Sequence, residues 1–208
     1  MEMKYLPISR QSFRKLREDN CIYVDKTQHI YNLSHNGGMY FLSRPRRFGK
    51  SLLLSTLHEL FLGSKELFED TWIADKWNWS DKSPVIHISF LSVSYEEQGL
   101  KEGIKQYLLK IYKNYNLIPD EDTNIKFLFA DLIKQLHDKH GKVVILIDEY
   151  DKPIIDYLEF HKLPQAKANH EVLGLFYGAL KDVDAYIRLL FITGISKFTR
   201  VSLFFKTQ

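Results

Sequence analysis

The sequence is short of the residues that staple or anchor a chain. One cysteine in 208 residues, Cys21, excludes an intramolecular disulfide and a cysteine-based zinc site. No apolar run approaches the roughly 20 residues of a membrane helix, and the basic, mixed N-terminus lacks the apolar stretch of a secretion signal. Internal repeats, low-complexity tracts and any recognisable nucleic-acid-binding motif are also missing. Charge of one sign is scarce overall, at a net +3, although residues 1–60 hold ten Lys or Arg against five Asp or Glu. Within that excess, Arg10, Arg14, Lys15 and Arg17 read as a solvated helix face ahead of a nucleic-acid contact. A globular, cytoplasmic chain without membrane attachment is the expectation.

What is present suits one sizeable core, with 45% apolar and 26% charged residues. We expect a single domain, 1–208, in which residues 1–37 lead into a core over 38–208. The most informative stretch is Ser43-Arg44-Pro45-Arg46-Arg47-Phe48-Gly49-Lys50-Ser51. It joins a strand-like run, Met39–Leu42, to a helix-like run, Leu52–Leu62, that Gly63 stops. A loop so placed ends at a helix N-terminus, where unpaired N–H groups and the helix dipole favour an anion. Gly49 lets the backbone approach a phosphate, Lys50 supplies a point charge, and the Ser51 hydroxyl can ligate Mg²⁺. Arg46 and Arg47 raise the local positive potential. The usual pattern has glycine where this loop has Arg44, and a lone Gly-Lys-Ser also reads as an ordinary helix start.

A second element decides between these readings. Val143-Val144-Ile145-Leu146-Ile147 runs straight into Asp148 and Glu149, as a buried parallel strand with acids at its C-terminal end does. Ligands of open α/β sheets bind beyond that edge, so Asp148 is expected near Lys50 and Ser51. Asp148 is the natural partner of Mg²⁺, and Glu149 can polarise a water for attack on a γ-phosphate. A third run, Leu189–Ile192, ends in Thr193 and Gly194. Thr193 is placed to sense the γ-phosphate or orient that water, or else it is a turn-satisfied strand end.

Between these motifs strands alternate with helices, as in a parallel sheet with helices on both faces. Val85–Phe90 reads as a further strand. Leu100, Ile104, Leu108 and Ile111 fall at helical spacing, and so do Ile125, Leu128, Leu132 and Leu136, closed by Gly141. An extra strand between the phosphate loop and the acidic strand, with glutamate after aspartate, is the arrangement of ATPases that carry their own base.

Tyr23-Val24-Asp25-Lys26-Thr27, Arg44 to Ser51, Asp148-Glu149-Tyr150-Asp151, Pro84–Phe90 and Thr193-Gly194-Ile195 together resemble the predicted AAA-ATPase-like proteins of bacteria and archaea. The resemblance covers nearly the whole chain and accounts for Arg44. It implies a P-loop three-layer α/β/α fold with a mainly parallel sheet, binding ATP and Mg²⁺ through Pro45, Arg46, Arg47, Phe48, Gly49, Lys50, Ser51 and Leu52. Ser51 and Asp148 would ligate the metal, with Lys50, Glu149 and Thr193 as the catalytic set. Tyr23 or Val24 would lie over the adenine, while Asp25 and Thr27 cap the following helix. The C-terminal lid and the nuclease-like domain common in that family are not visible here, so nucleic-acid work would belong to an absent domain. Slow turnover alone is expected, with a homo-oligomer supplying an arginine in trans. Lys197 and Arg200 read as two solvated cations ahead of charges acting in cis. Competing readings are a nucleotide-binding switch or degenerate remnant, and a nucleic-acid-binding arm with an incidental loop. His137 and His140 read as helix-end residues, the three tryptophans as packing, and Asp151 as a residue that orients a neighbour.

Overall fold

The computed structural model describes residues 4–196. Lys197 and Arg200, and the segment 202–208, lie outside the described residues. Among the described residues four strands, β1 (Gly38–Ser43), β2 (Val85–Ser89), β3 (Val143–Asp148) and β4 (Ile187–Gly194), form one all-parallel sheet in the order β1-β4-β3-β2. Every residue of β3 is buried, because both of its faces are covered. Val143, Ile145 and Ile147 enter one apolar cluster while Val144 and Leu146 enter the other, the period-2 alternation of a strand.

Among the described residues, seven helices supply the outer layers: α1 (Phe13–Glu18), α2 (Thr27–Asn36), α3 (Lys50–Leu62), α4 (Leu100–Asn114), α5 (Ile125–His140), α6 (Lys152–Ile155) and α7 (Leu163–Asp182). The first three bury Phe13, Ile30, Leu57 and Phe61 against Val144, Leu146, Leu189 and Phe191. Helices α4, α5 and α7 bury Leu108, Leu132 and Phe176 against the opposite face. Each such side chain contributes about 1.5–3 kcal/mol on burial, which is what holds the α/β/α layers together. The start of α5 is set by Asn124, whose Oδ1 accepts from the N–H groups of Lys126 and Phe127 at 3.0 and 3.2 Å.

The strand that follows the phosphate loop in sequence, β2, is not the one that separates loop from acids in space. Strand β4 holds that place and β2 is an outer strand. Three of its backbone groups are engaged by a tyrosine of α4 and by the tyrosine that follows that helix. The Tyr115 hydroxyl accepts from Val85 N–H at 2.9 Å and donates to Val85 O at 3.1 Å, and Tyr107 donates to His87 O at 3.1 Å. These are the groups that a further strand would engage. Helix α7 is unanticipated: Pro164 suits its first turn, but the glycines at 174 and 178 weaken its helix signal, and packing of Leu173, Phe176 and Leu180 restores it.

Candidate nucleotide site

The register of the sheet assembles the site. Leu42 pairs with Thr193 and Ser43 with Gly194, so the chain leaves β1 for the phosphate loop beside the end of β4. Ile147 pairs with Ile192 on the other side of β4, which brings Asp148 level with Thr193. Acid strand, Thr193 and loop therefore meet at the carboxyl edge, where open α/β sheets place their ligands.

Residues 44–49 are exposed and bridge β1 to α3. Two of them take the left-handed backbone, Arg47 at φ 66° and Gly49 at φ 74°. Only glycine does so without cost, so the Arg47 conformation is held by the loop as a whole. Lys50 opens α3 and is 5% exposed, its Nζ donating to the carbonyls of Arg44 and Pro45 at 3.0 Å each. Leu53 N–H to Gly49 O, 2.9 Å, starts the helical ladder, leaving the N–H groups before it directed at the loop. Ser51 and Leu52 are half-buried in that first turn, with Leu52 packed on the apolar cluster, while Phe48 stands exposed.

Asp148 is buried and accepts from the Thr193 hydroxyl at 2.6 Å. Thr193 is wholly buried, so its single O–H proton points at the carboxylate. Glu149 follows at φ 52°. Burial, then the Asp148 charge, push its carboxyl above the ordinary range; Lys50, Lys152 and Arg46 pull it back. Those five charged groups thus share one electrostatic neighbourhood, three cations around two acids. Behind Glu149, Lys152 pairs with Asp156, which also accepts from the Tyr95 hydroxyl at 2.6 Å. A cleft of about 300 Å³ opens there, lined by the turn 90–97 and Lys152.

The donor set suits Mg²⁺, which takes one or two protein oxygens and completes its shell with water and phosphate. Thr193 engages Asp148 Oδ1, and Asp148 and Ser51 are the oxygen donors that would hold such an ion. Among the described residues no group of three or more His, Cys, Asp or Glu could hold a metal by itself.

A family model described as "Predicted AAA-ATPase" matches residues 7–204. The chain belongs to that family. Nucleotide binding therefore follows at the family level. The chain is also similar to an "Uncharacterized protein in vnfD 5'region" of Azotobacter chroococcum mcd 1, 43% identical over 206 residues, covering 98% of this chain and 40% of the relative. It thus spans two-fifths of that relative's length, and no solved structure matches it.

In this ATPase-family chain the Tyr-Val-Asp-Lys-Thr segment makes contacts of its own. Asp25 accepts from Thr27 N–H and hydroxyl at 2.8 and 2.7 Å and from Trp72 N–H at 2.6 Å, fixing the start of α2 to the turn at Trp72. Tyr23 packs edge-on against Phe13 with ring centroids 5.0 Å apart, while Val24 is exposed. The N-terminal cations are spent on internal pairs: Arg10 with Asp19, Arg14 with Glu59, Arg17 with Asp70. Trp77 and Trp79 pack on Phe61 and Phe68. Sequence reasoning passed over Ser196, whose partner Asp151 lies 45 positions away, and Lys152, whose pairing with Asp156 four residues on reads as an ordinary helix-face pair.

Proposed function

We propose that this chain binds ATP·Mg²⁺ and hydrolyses it, as a nucleotide-binding core preceded by the segment 1–37. The observation that carries the reading is the register that sets Asp148, Glu149 and Thr193 at the mouth of the Lys50 loop. Pro45 to Leu52 would wrap the phosphates with backbone N–H groups, and Lys50 would exchange its two loop carbonyls for phosphate oxygens. Bound Mg²⁺ would neutralise developing charge on the phosphates. Ser51 and Asp148 would hold it, with Thr193 fixing the rotamer of Asp148. Glu149 is the base: its raised carboxyl sits closer to the working pH than an ordinary glutamate, as proton abstraction from water requires. Arg46, within electrostatic reach of Glu149, is placed to meet charge on the γ-phosphate. Val24, exposed, and Tyr23 are the base contacts implied by the family resemblance. A homo-oligomer would add an arginine in trans. What the energy drives is a property of the longer proteins to which the chain is related.

Calorimetry of ATP·Mg²⁺ on wild type and Lys50→Ala, with phosphate release from wild type and Glu149→Gln, tests the reading. Binding should disappear with Lys50 and turnover with Glu149. Binding without turnover in the wild type would make the domain a nucleotide switch, and no binding at all would overturn the proposal.

A further inference from the structure

Glu149 is held in a conformation it would not choose. A non-glycine residue at φ 52° is strained by its Cβ and persists where its surroundings over-determine it. Those surroundings come from the end of β4. On one side Thr193 donates to Asp148 at 2.6 Å and accepts at its carbonyl from Tyr150 N–H at 3.0 Å. On the other side Asp151, 1% exposed, accepts at one oxygen from Ile195 N–H (3.0 Å), Ser196 N–H (2.7 Å) and the Ser196 hydroxyl (2.6 Å). The two turns close without a gap, since a Cβ on Gly194 would lie 2.4 Å from the Tyr150 ring and 2.8 Å from Asp151 Oδ1.

The same turn is tied to the phosphate loop. Arg44 N–H donates to Gly194 O at 3.2 Å and the Ser43 hydroxyl to Ile195 O at 2.9 Å. Residues 194–196 are therefore a bridge with the loop on one side and the acidic turn on the other, and Asp151 is the carboxylate that grips it.

We propose that Asp151 is a positioning residue: its grip on Ile195 and Ser196 sets the distance and angle at which the Glu149 carboxylate faces the phosphate loop. The inference rests on the hydrolysis reading above for its effect on rate, and on geometry alone for its effect on Glu149. Misplacement of a base by about 1 Å can cost on the order of 100-fold in rate, while phosphate contacts made by the loop survive it.

The test compares wild type, Asp151→Asn and Ser196→Ala by three readouts: ATP·Mg²⁺ affinity, kcat, and the backbone chemical shifts of Glu149, which report its φ. Asp151→Asn should lower kcat by about 10-fold or more with affinity kept within about 2-fold, and Glu149 should lose its left-handed shifts. Ser196→Ala, which keeps both N–H donors, should move the same readouts less, and it carries the test should Asp151→Asn not fold. Unchanged Glu149 shifts, an unchanged kcat, or a loss of affinity in step with kcat would overturn the proposal. If the wild type binds ATP yet releases no phosphate, the hydrolysis reading fails, and the Glu149 shifts still decide whether Asp151 sets that residue.

Discussion

Replacing Arg14 with alanine separates a structural arginine from a ligand-contacting one. Arg14 Nε and Nη2 donate to the two oxygens of Glu59 at 3.1 and 2.7 Å, a bidentate pair, and Ser64 bridges both. The Glu59 side chain is 7% exposed and the Arg14 side chain 42%. Burial opposes ionisation of Glu59, but the neighbouring His58 ring, hydrogen bonds from Arg14 and Ser64, and the Arg14 charge bring its carboxyl down from 4.5 to about 2. That shift corresponds to about 3 kcal/mol favouring the folded, ionised state. Arg14 supplies only part of it and its exposure screens the rest, so the expected loss for Arg14→Ala is about 1.5–2 kcal/mol at pH 7. Because the folded pKa is depressed, this stability is full above pH 4.5 and is lost as pH falls toward 2. The wild-type and variant stabilities should therefore converge on acidification. Urea unfolding followed by tryptophan fluorescence between pH 7 and 3 measures both quantities. A loss below about 0.5 kcal/mol, or one that stays constant down to pH 3, would refute the reasoning and return Arg14 to the solvated surface.

Three further outcomes follow from the same geometry. Burial, with the His58 charge, depresses His87 from 6.5 to about 4 against the pull of Asp148, so its contribution is full above pH 6.5 and fades toward pH 4; His87→Leu should remove up to about 3 kcal/mol of that pH dependence in urea titrations. Tyr115→Phe strips the hydroxyl from Val85 N–H and C=O and should lower stability by about 1–3 kcal/mol while promoting concentration-dependent association through the opened β2 edge, seen by light scattering. Thr193→Val removes the hydroxyl that donates to Asp148 and should raise the Mg²⁺ concentration for half-maximal ATP turnover, with Kd for ATP little changed.

Local chemistry in the sequence determined most of the parts. The aliphatic run into Asp148 and Glu149, the Gly49-Lys50-Ser51 turn into a helix, and the stripes of α4 and α5 are written in neighbouring residues, because strand and helix periods bury one face or stripe at a time. The same is true of family membership, since the family model matches residues 7–204 and the five segments that carry the resemblance all fall within that span. Tertiary structure decided how the parts meet. That β4 lies between loop and acids, that Thr193 donates to Asp148 across 45 positions, that Asp151 grips Ser196, and that Arg14 belongs to Glu59 depend on strand order and helix docking. Such pairings are chosen by which buried polar groups can satisfy one another once the layers close, a condition on the whole fold that no local run of residues expresses.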